Sequence, residues 1–268
     1  MNACEDWRIS TPFPTADPGE CALLLDVDGT LVPFAPTPDE VRIDAELLEL
    51  LASLRERTAG ALALVSGRSI DSLDALFAPL RLPASGVHGV EVRGADGVCR
   101  RRSTSPRALE AARPLLTELT RLAPGLFLED KHSALALHYR QAPQLELQLA
   151  SAAQAIARRI GDGLQVLRGN LVLELAPAGI SKATGILELM AAPPFKGRRA
   201  IFLGDDPTDE PAFACVNAAG GLTLAVAVTH PTVAHWRLPS VAAARAWLRT
   251  LLDGTDERHD GRGRSTAR

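Results

Sequence analysis

Residues 23–31 read Leu-Leu-Leu-Asp-Val-Asp-Gly-Thr-Leu, and this run restricts the chain more than any other. Ala22 and three consecutive leucines mark a short strand buried on both faces. Such a strand belongs in the interior of a parallel sheet. It runs into Asp26 and Asp28, two residues apart, so extended backbone would point both carboxylates to one side. Adjacent carboxylates repel, and both stay ionised at neutral pH only beside a cation or strong hydrogen-bond donors. A plainer reading exists: an Asx turn with Gly29 at the tight bend. That reading suits an isolated Asp-x-Asp. The apolar strand before it and Gly-Thr-Leu after it make this run far more restrictive.

The rest of the chain supplies a sheet for this strand, predicted over 22–27. Pro33, Pro36 and Pro38 hold the next loop open, and Asp39 is the candidate cap of a helix over 41–57. Strand 61–65 leads into Ser66-Gly67-Arg68, and helix 70–77 follows with Ser69 as its cap. Strand 84–87 leads into Gly86-Val87-His88-Gly89, and 91–93 with 99–102 read as a hairpin. This β-α-β-α-β order predicts a parallel sheet with crossover helices. Between 103 and 178 the texture changes to helix 106–122, strands 126–129 and 134–139, helix 143–160, and strands 164–167 and 171–175. The βα rhythm then returns with helix 182–190, strand 200–203, helix 208–216, strand 222–228 and helix 241–252. The expectation is an α/β fold: a Rossmann-like core over 20–102 and 179–253, with an inserted α+β domain over 103–178. The insertion would swing on linkers near 102–105 and 177–181. Residues 254–268 are polar, charged and Gly-rich, and a disordered tail is expected there.

Composition removes several classes of function. A net charge of −3 gives no electrostatic case for nucleic acid, and 4% aromatics gives no stacking platform for bases. Four cysteines without a Cys-x-x-Cys spacing argue against a zinc site or a disulfide framework. No apolar run approaches the roughly 20 residues of a membrane span, and the first residues lack the features of a signal peptide. A cytoplasmic protein without a membrane partner is the expectation, monomeric because no segment reads as a dedicated dimer helix.

Open α/β sheets hold ligands at the carboxyl ends of their strands. Four features fall there: Asp26 with Asp28, Ser66, Lys182, and the loop Gly204-Asp205-Asp206-Pro207-Thr208-Asp209-Glu210. A solvated loop with acids in the first helical turn would account for part of that last cluster. It would not account for the cluster's place at the same edge as Asp26 and Asp28. Several carboxylates converge where Lys182 is the one close counter-charge in view. A hard divalent cation resolves the repulsion, and a donor set of oxygens without His or Cys points to Mg²⁺. Lys182 and Ser66 are then placed to bind phosphate oxygens.

Asp-x-Asp-Gly-Thr, Ser, Lys and Gly-Asp-Asp-x-x-Asp, in this order, resemble the four motifs of the haloacid-dehalogenase-like (HAD) phosphatases. The insertion between Ser66 and Lys182 resembles that family's C2-type cap. Within the family, several runs resemble the trehalose-6-phosphate phosphatase pattern: Ser66-Gly67-Arg68, Gly86-Val87-His88-Gly89, Lys131-His132-Ser133 with His138-Tyr139-Arg140, Glu174-Leu175-Ala176-Pro177, and Gly204 to Glu210. The resemblance implies a Mg²⁺-dependent phosphatase acting on a sugar phosphate through an aspartyl-phosphate. It implies Asp26 as nucleophile and Asp28 as acid/base, with Ser66 and Lys182 on phosphate. Metal ligation falls to Asp26, Asp28 (through its carbonyl), Asp205 and Asp209. Sugar contacts fall to His88, Gly89, Glu129, Lys131, Arg140 and Glu174. His132 and His138 read as structural or surface residues. Another sugar-phosphate phosphatase, a phosphosugar mutase and a catalytically silent sugar-phosphate sensor are the competing readings.

Overall fold

The computed structural model describes residues 16–102, 106–161 and 163–253. The first part of the core consists of β1 (Cys21–Leu25), α1 (Ala45–Arg57), β2 (Leu62–Val65), α2 (Ile70–Leu76), β3 (Ala84–Gly86), β4 (Glu91–Arg93) and β5 (Cys99–Arg101). A second unit follows, made of α3 (Pro106–Leu119), β6 (Phe127–Asp130), β7 (Leu135–His138), α4 (Glu146–Ile160), β8 (Leu164–Gly169) and β9 (Val172–Pro177). The core resumes with α5 (Lys182–Met190), β10 (Arg199–Gly204), α6 (Glu210–Ala218), β11 (Leu222–Val226), β12 (Trp236–Leu238) and α7 (Val241–Asp253).

The core strands form one sheet in the order β12-β11-β10-β1-β2-β3-β4-β5, parallel from β12 to β3 and antiparallel beyond. β1 sits inside it because both its faces are apolar. Leu23 and Leu25 pack with α1, α2 and α7, whereas Ala22 and Leu24 pack with α5 and α6. From β1 the chain moves to one side through β2 and β3, and after the insertion it returns to the other side through β10 and β11. The loops leaving β1 and β10 therefore part at the carboxyl edge, the switch point where such sheets hold ligands.

The second unit is a four-stranded antiparallel sheet in the order β6-β7-β9-β8. Period-two alternation divides its faces. Leu135, Leu137, Leu173 and Leu175 pack under α3 and α4. The opposite face carries Ala134 and Ala176, which meet Val87 and Val90 of the core. The expected α/β class with an inserted α+β unit therefore stands.

Local boundaries differ in informative ways. Helix α1 begins at Ala45, and its cap is Asp44, whose Oδ1 accepts from the Leu47 N–H at 2.8 Å. Pro38–Glu40 forms a separate 3₁₀ turn that ends in extended backbone at Val41, so Asp39 lies inside that turn and not at the start of α1. β12 has no counterpart among the predicted strands; at three residues it offers too short an alternation to read. The expected tail at 254–268, and 103–105 of one expected linker, lie outside the described residues. Among the described residues no helix is long and apolar enough to cross a membrane.

Candidate active site

β1 ends at Leu25, so Asp26 and Asp28 lie beyond the strand and are positioned by the turn that follows. Asp26 is tied to β10 by its N–H, which donates to the Leu203 carbonyl at 3.0 Å. Gly29 then takes φ +86°, and a Cβ there would stand 2.1 Å from Asp205 Oδ2. Only glycine permits both the left-handed turn and this approach. Asp26 is buried, with Oδ1 accepting from Lys182 Nζ at 2.7 Å and Oδ2 from Thr30 Oγ1 at 3.1 Å. The same Thr30 hydroxyl lies 3.2 Å from Asp205 Oδ1. Lys182, the first residue of α5, also donates to Asp209 Oδ1 at 2.7 Å. Asp209 Oδ2 accepts the N–H groups of Asp205 and Asp206, at 3.0 and 3.1 Å, which fixes the loop after β10. Ser66, at the end of β2, is buried and accepts from the Arg68 N–H at 3.1 Å.

Asp28 stands apart from this network. Arg68 holds its carboxylate as a fork, Nε to Oδ2 and Nη2 to Oδ1, both at 2.7 Å. Lys182 is thus not the one close counter-charge, which corrects the expectation from sequence. The cue was available, because Arg68 directly follows Ser66-Gly67.

Asp26, Asp205 and Asp209 bring carboxylate oxygens within 4.8 Å of one another. Three acids around one lysine leave the cluster short of positive charge. Burial pushes the Asp205 carboxyl up to about 10, aided by the charges of Asp26, Asp209 and Asp206. Burial raises Asp209 to about 8, with Lys182 opposing, and raises Asp26 against the same opposition. Burial alone would lower Lys182, but Asp209 and Asp26 hold it well above the usual lysine range. A set of hard oxygens carrying unbalanced charge fits a small divalent cation such as Mg²⁺.

The antiparallel sheet covers this centre. Glu129 on β6, Ala136 on β7 and Glu174 on β9 lie in one cross-strand row, and the small Ala136 leaves space between the two glutamates. Glu174 is 1% exposed, yet its oxygens lie 2.7 Å from His88 Nε2 and 2.9 Å from Lys131 Nζ. Burial would raise Glu174, but Lys131 and His88 overcome it and hold the carboxyl at about 2. These two contacts leave further lone pairs on the Glu174 oxygens, and among the described residues His88 Nδ1 has no hydrogen-bond partner. Lys131 Nζ also donates to the Gly67 carbonyl of the core at 2.9 Å. Glu129 pairs with His138 at 2.8 Å, and the His138 ring stacks on Phe127. One cavity is lined by Asp26, Ser66 and Lys182 below and by Glu129, Lys131 and Glu174 above.

The sequence model of the trehalose-phosphatase family matches residues 24–242, most of the chain. The chain belongs to that family. The trehalose-6-phosphate phosphatase of Escherichia coli is 41% identical over 242 residues, spanning 89% of each chain. A crystal structure of a trehalose-6-phosphate phosphatase related protein superposes with a TM-score of 0.69 at 28% identity, over 88% of this chain and all of that one. A phosphatase of the haloalkanoate (HAD) superfamily from Bacteroides thetaiotaomicron shares the fold, with a TM-score of 0.58 at 19% identity over 90% of this chain and 98% of that one. In this trehalose-phosphatase family member the core is the HAD fold and the antiparallel unit is its cap.

The structure gathers Asp26, Asp28, Ser66, Lys182 and Asp205 below the cap, with His88, Glu129, Lys131, Arg140 and Glu174 around the same cavity. Asp209 joins through Lys182 and the loop amides. Gly89 does not line the cavity. With φ +104°, it packs where a Cβ would stand 2.4 Å from the Ser181 carbonyl, so its place is structural. His138, read as a structural or surface residue, lies on the cavity wall beside Glu129. Phe34, Arg68 and Asn170 also line it. Neither Phe34 nor Asn170 belongs to a motif with a chemical signature, whereas Arg68 does.

Proposed function

We propose that this enzyme is a Mg²⁺-dependent phosphatase that converts trehalose 6-phosphate to trehalose and phosphate through an aspartyl-phosphate on Asp26. The observation that carries the reading is the single cavity with two unlike walls. Its floor has a buried nucleophile beside a lysine and an under-neutralised acid cluster. Its roof has a buried glutamate with free accepting capacity, suited to sugar hydroxyls. Asp26, Asp205 and the carbonyl of Asp28 would hold the ion, with Asp209 adjacent. The ion supplies charge neutralisation of the phosphate when bound.

Asp26 attacks phosphorus, and the bond from phosphorus to the sugar oxygen breaks as Asp28 donates a proton to that oxygen. Asp28 then takes a proton from the water that attacks the aspartyl-phosphate, releasing phosphate and restoring Asp26. Lys182 keeps Asp26 anionic before attack and stabilises phosphoryl oxygens afterwards. Since Arg68 occupies both oxygens of Asp28 in this structure, the proton transfers require that fork to open on at least one side. Glu174, Glu129 and Lys131 read the sugar, and cap closure keeps bulk water from the reacting centre.

The test is phosphate release with Mg²⁺ from trehalose 6-phosphate, sucrose 6-phosphate, glucose 6-phosphate and p-nitrophenyl phosphate, with Asp26→Asn as control. A strong preference for trehalose 6-phosphate that the variant abolishes is the expected result. Activity confined to small esters would keep the Asp26 chemistry and remove the substrate assignment.

A further inference from the structure

Two of the places where the cap touches the core carry polar contacts that bear on the site, beside the apolar contact of Ala134 and Ala176 with Val87 and Val90. One is the contact of Glu174 and Lys131 with His88 and Gly67. The other is the tight turn between β8 and β9. There the Asn170 N–H donates to Asp206 Oδ2 at 3.1 Å, and a Cβ on Gly169 would stand 3.0 Å from the same oxygen. Arg140 braces the turn from the cap side, donating to the Asn170 carbonyl at 3.2 Å, while its guanidinium lies over the Phe34 ring of the core loop.

Asp206 faces both ways. Its second oxygen, Oδ1, accepts the Thr208 N–H at 2.7 Å and caps the 3₁₀ turn after β10. Its own N–H donates to Asp209 Oδ2, Asp209 Oδ1 accepts from Lys182 Nζ, and that ammonium donates to Asp26. An unbroken set of hydrogen bonds therefore runs from the cap turn to the nucleophile. Capping needs only one oxygen, which Ser, Thr or Asn would supply without charge. A fourth carboxylate beside Asp26, Asp205 and Asp209 adds repulsion to a site already rich in acids. What the carboxylate adds over those residues is a second accepting oxygen, and that oxygen meets the cap.

We infer that Asp206 is a positioning residue: it seats the β8–β9 turn of the cap and relays that seating to Asp26 through Asp209 and Lys182. The inference rests on the reading of a sugar phosphate as substrate, because only a substrate that needs the seated cap would sense its loss.

Two variants separate seating from the plain stability of the turn. Asp206→Ser keeps a capping oxygen and lacks the second acceptor. Asn170→Pro removes the donor on the cap side and leaves the core unaltered, so it carries the test alone if Asp206→Ser does not fold. The measurements are kcat/KM with Mg²⁺ for trehalose 6-phosphate and for p-nitrophenyl phosphate, and hydrogen exchange of the Asn170 amide in wild type and Asp206→Ser. Expected is a loss on trehalose 6-phosphate at least tenfold greater than on the small ester in either variant. The double variant should lose no more than the worse single one, and the Asn170 amide should exchange faster in Asp206→Ser. Equal losses on both esters, additive losses, or unchanged Asn170 exchange would overturn the inference. A wild type inactive on trehalose 6-phosphate would overturn the substrate reading instead, and the exchange measurement would still decide whether Asp206 seats the turn.

Discussion

The floor and the roof of the cavity solve opposite electrostatic problems with the same residue type. On the floor, Asp26, Asp205 and Asp209 share one lysine, and all three carboxyls are driven upward, Asp205 to about 10. On the roof, Glu174 is as buried as Asp26 and Asp209 but stands between Lys131 and His88, and is driven down to about 2. The difference lies in counter-charge, since burial opposes ionisation in both. An acid cluster left short of positive charge is arranged for an incoming cation. A carboxylate that is already charge-matched, with spare lone pairs, is arranged for neutral hydroxyl donors. Under the proposed function the two walls divide the substrate between them, phosphate below and sugar above.

The severest test of the floor is removal of its proposed nucleophile. Asp26→Asn should reduce phosphate release from every ester by at least about 10³-fold, because no neighbouring carboxylate can take its place in line with Lys182. A variant that slowed trehalose 6-phosphate but spared p-nitrophenyl phosphate would mean that Asp26 serves binding, and the division of labour would fail.

Metal removal comes next in size. Chelation should abolish turnover and lower Tm, and Mg²⁺ at about 100 times its Kd should restore roughly 2.7 kcal/mol of stability. Asp205→Asn should cancel most of this gain while raising the Tm of the metal-free protein near neutral pH, since it removes a carboxyl that must take up a proton to be accommodated in the floor. If Asp205→Asn lowered the metal-free Tm, the floor would not be the strained wall that its charges imply.

The roof should respond to pH in its own way. Glu174 has a folded value of about 2 against an ordinary 4.5. A depressed carboxylate contributes stability that is fully present above the unfolded value and is lost as pH falls through the folded one. Its contribution of up to about 3 kcal/mol should therefore hold above about pH 5 and fade between about pH 4.5 and 2. Urea unfolding across that window should show a limb that Glu174→Gln flattens. The same variant should cut kcat/KM for trehalose 6-phosphate by about 10- to 100-fold, with a smaller loss on p-nitrophenyl phosphate. Equal losses on the two esters would break the division between walls.

The floor was more legible in the sequence than the roof, for a physical reason. Asp26, Asp28, Ser66, Lys182 and Asp205 each follow a strand or open a helix, so buried runs and their ends locate them along one sheet edge. The roof depends on pairing register. Glu129 and Glu174 are 45 positions apart and meet across Ala136 only because β6, β7 and β9 align as they do. Glu174 was nonetheless visible as an acid inside an apolar strand. His138 was not, because its role comes from a partner nine positions away on the neighbouring strand. The break between strands 164–167 and 171–175 placed a turn at Gly169 and Asn170, but nothing in the sequence marked that turn as a contact with the core. Leu171 adopts φ +61° where Gly or Asn would ordinarily announce a turn, so its part in seating the cap is a property of the tertiary structure.

The smallest effect expected lies at the outer end of the roof. Glu129 belongs to the same row as Glu174, and His138 and Lys131 outweigh burial to lower its carboxyl too. Its side chain is 36% exposed, however, so water screens its pairing with His138. Glu129→Gln should cost less than about 1 kcal/mol of stability. The amide keeps a carbonyl that can accept a sugar hydroxyl, so the loss should appear as a rise of about threefold in the KM for trehalose 6-phosphate, with kcat nearly unchanged. Comparison with Glu174→Gln then isolates burial, because the residue type, the row and the substitution are the same. If Glu129→Gln proved as damaging as Glu174→Gln, direct sugar contact and not burial with matched charge would rank the residues of the roof.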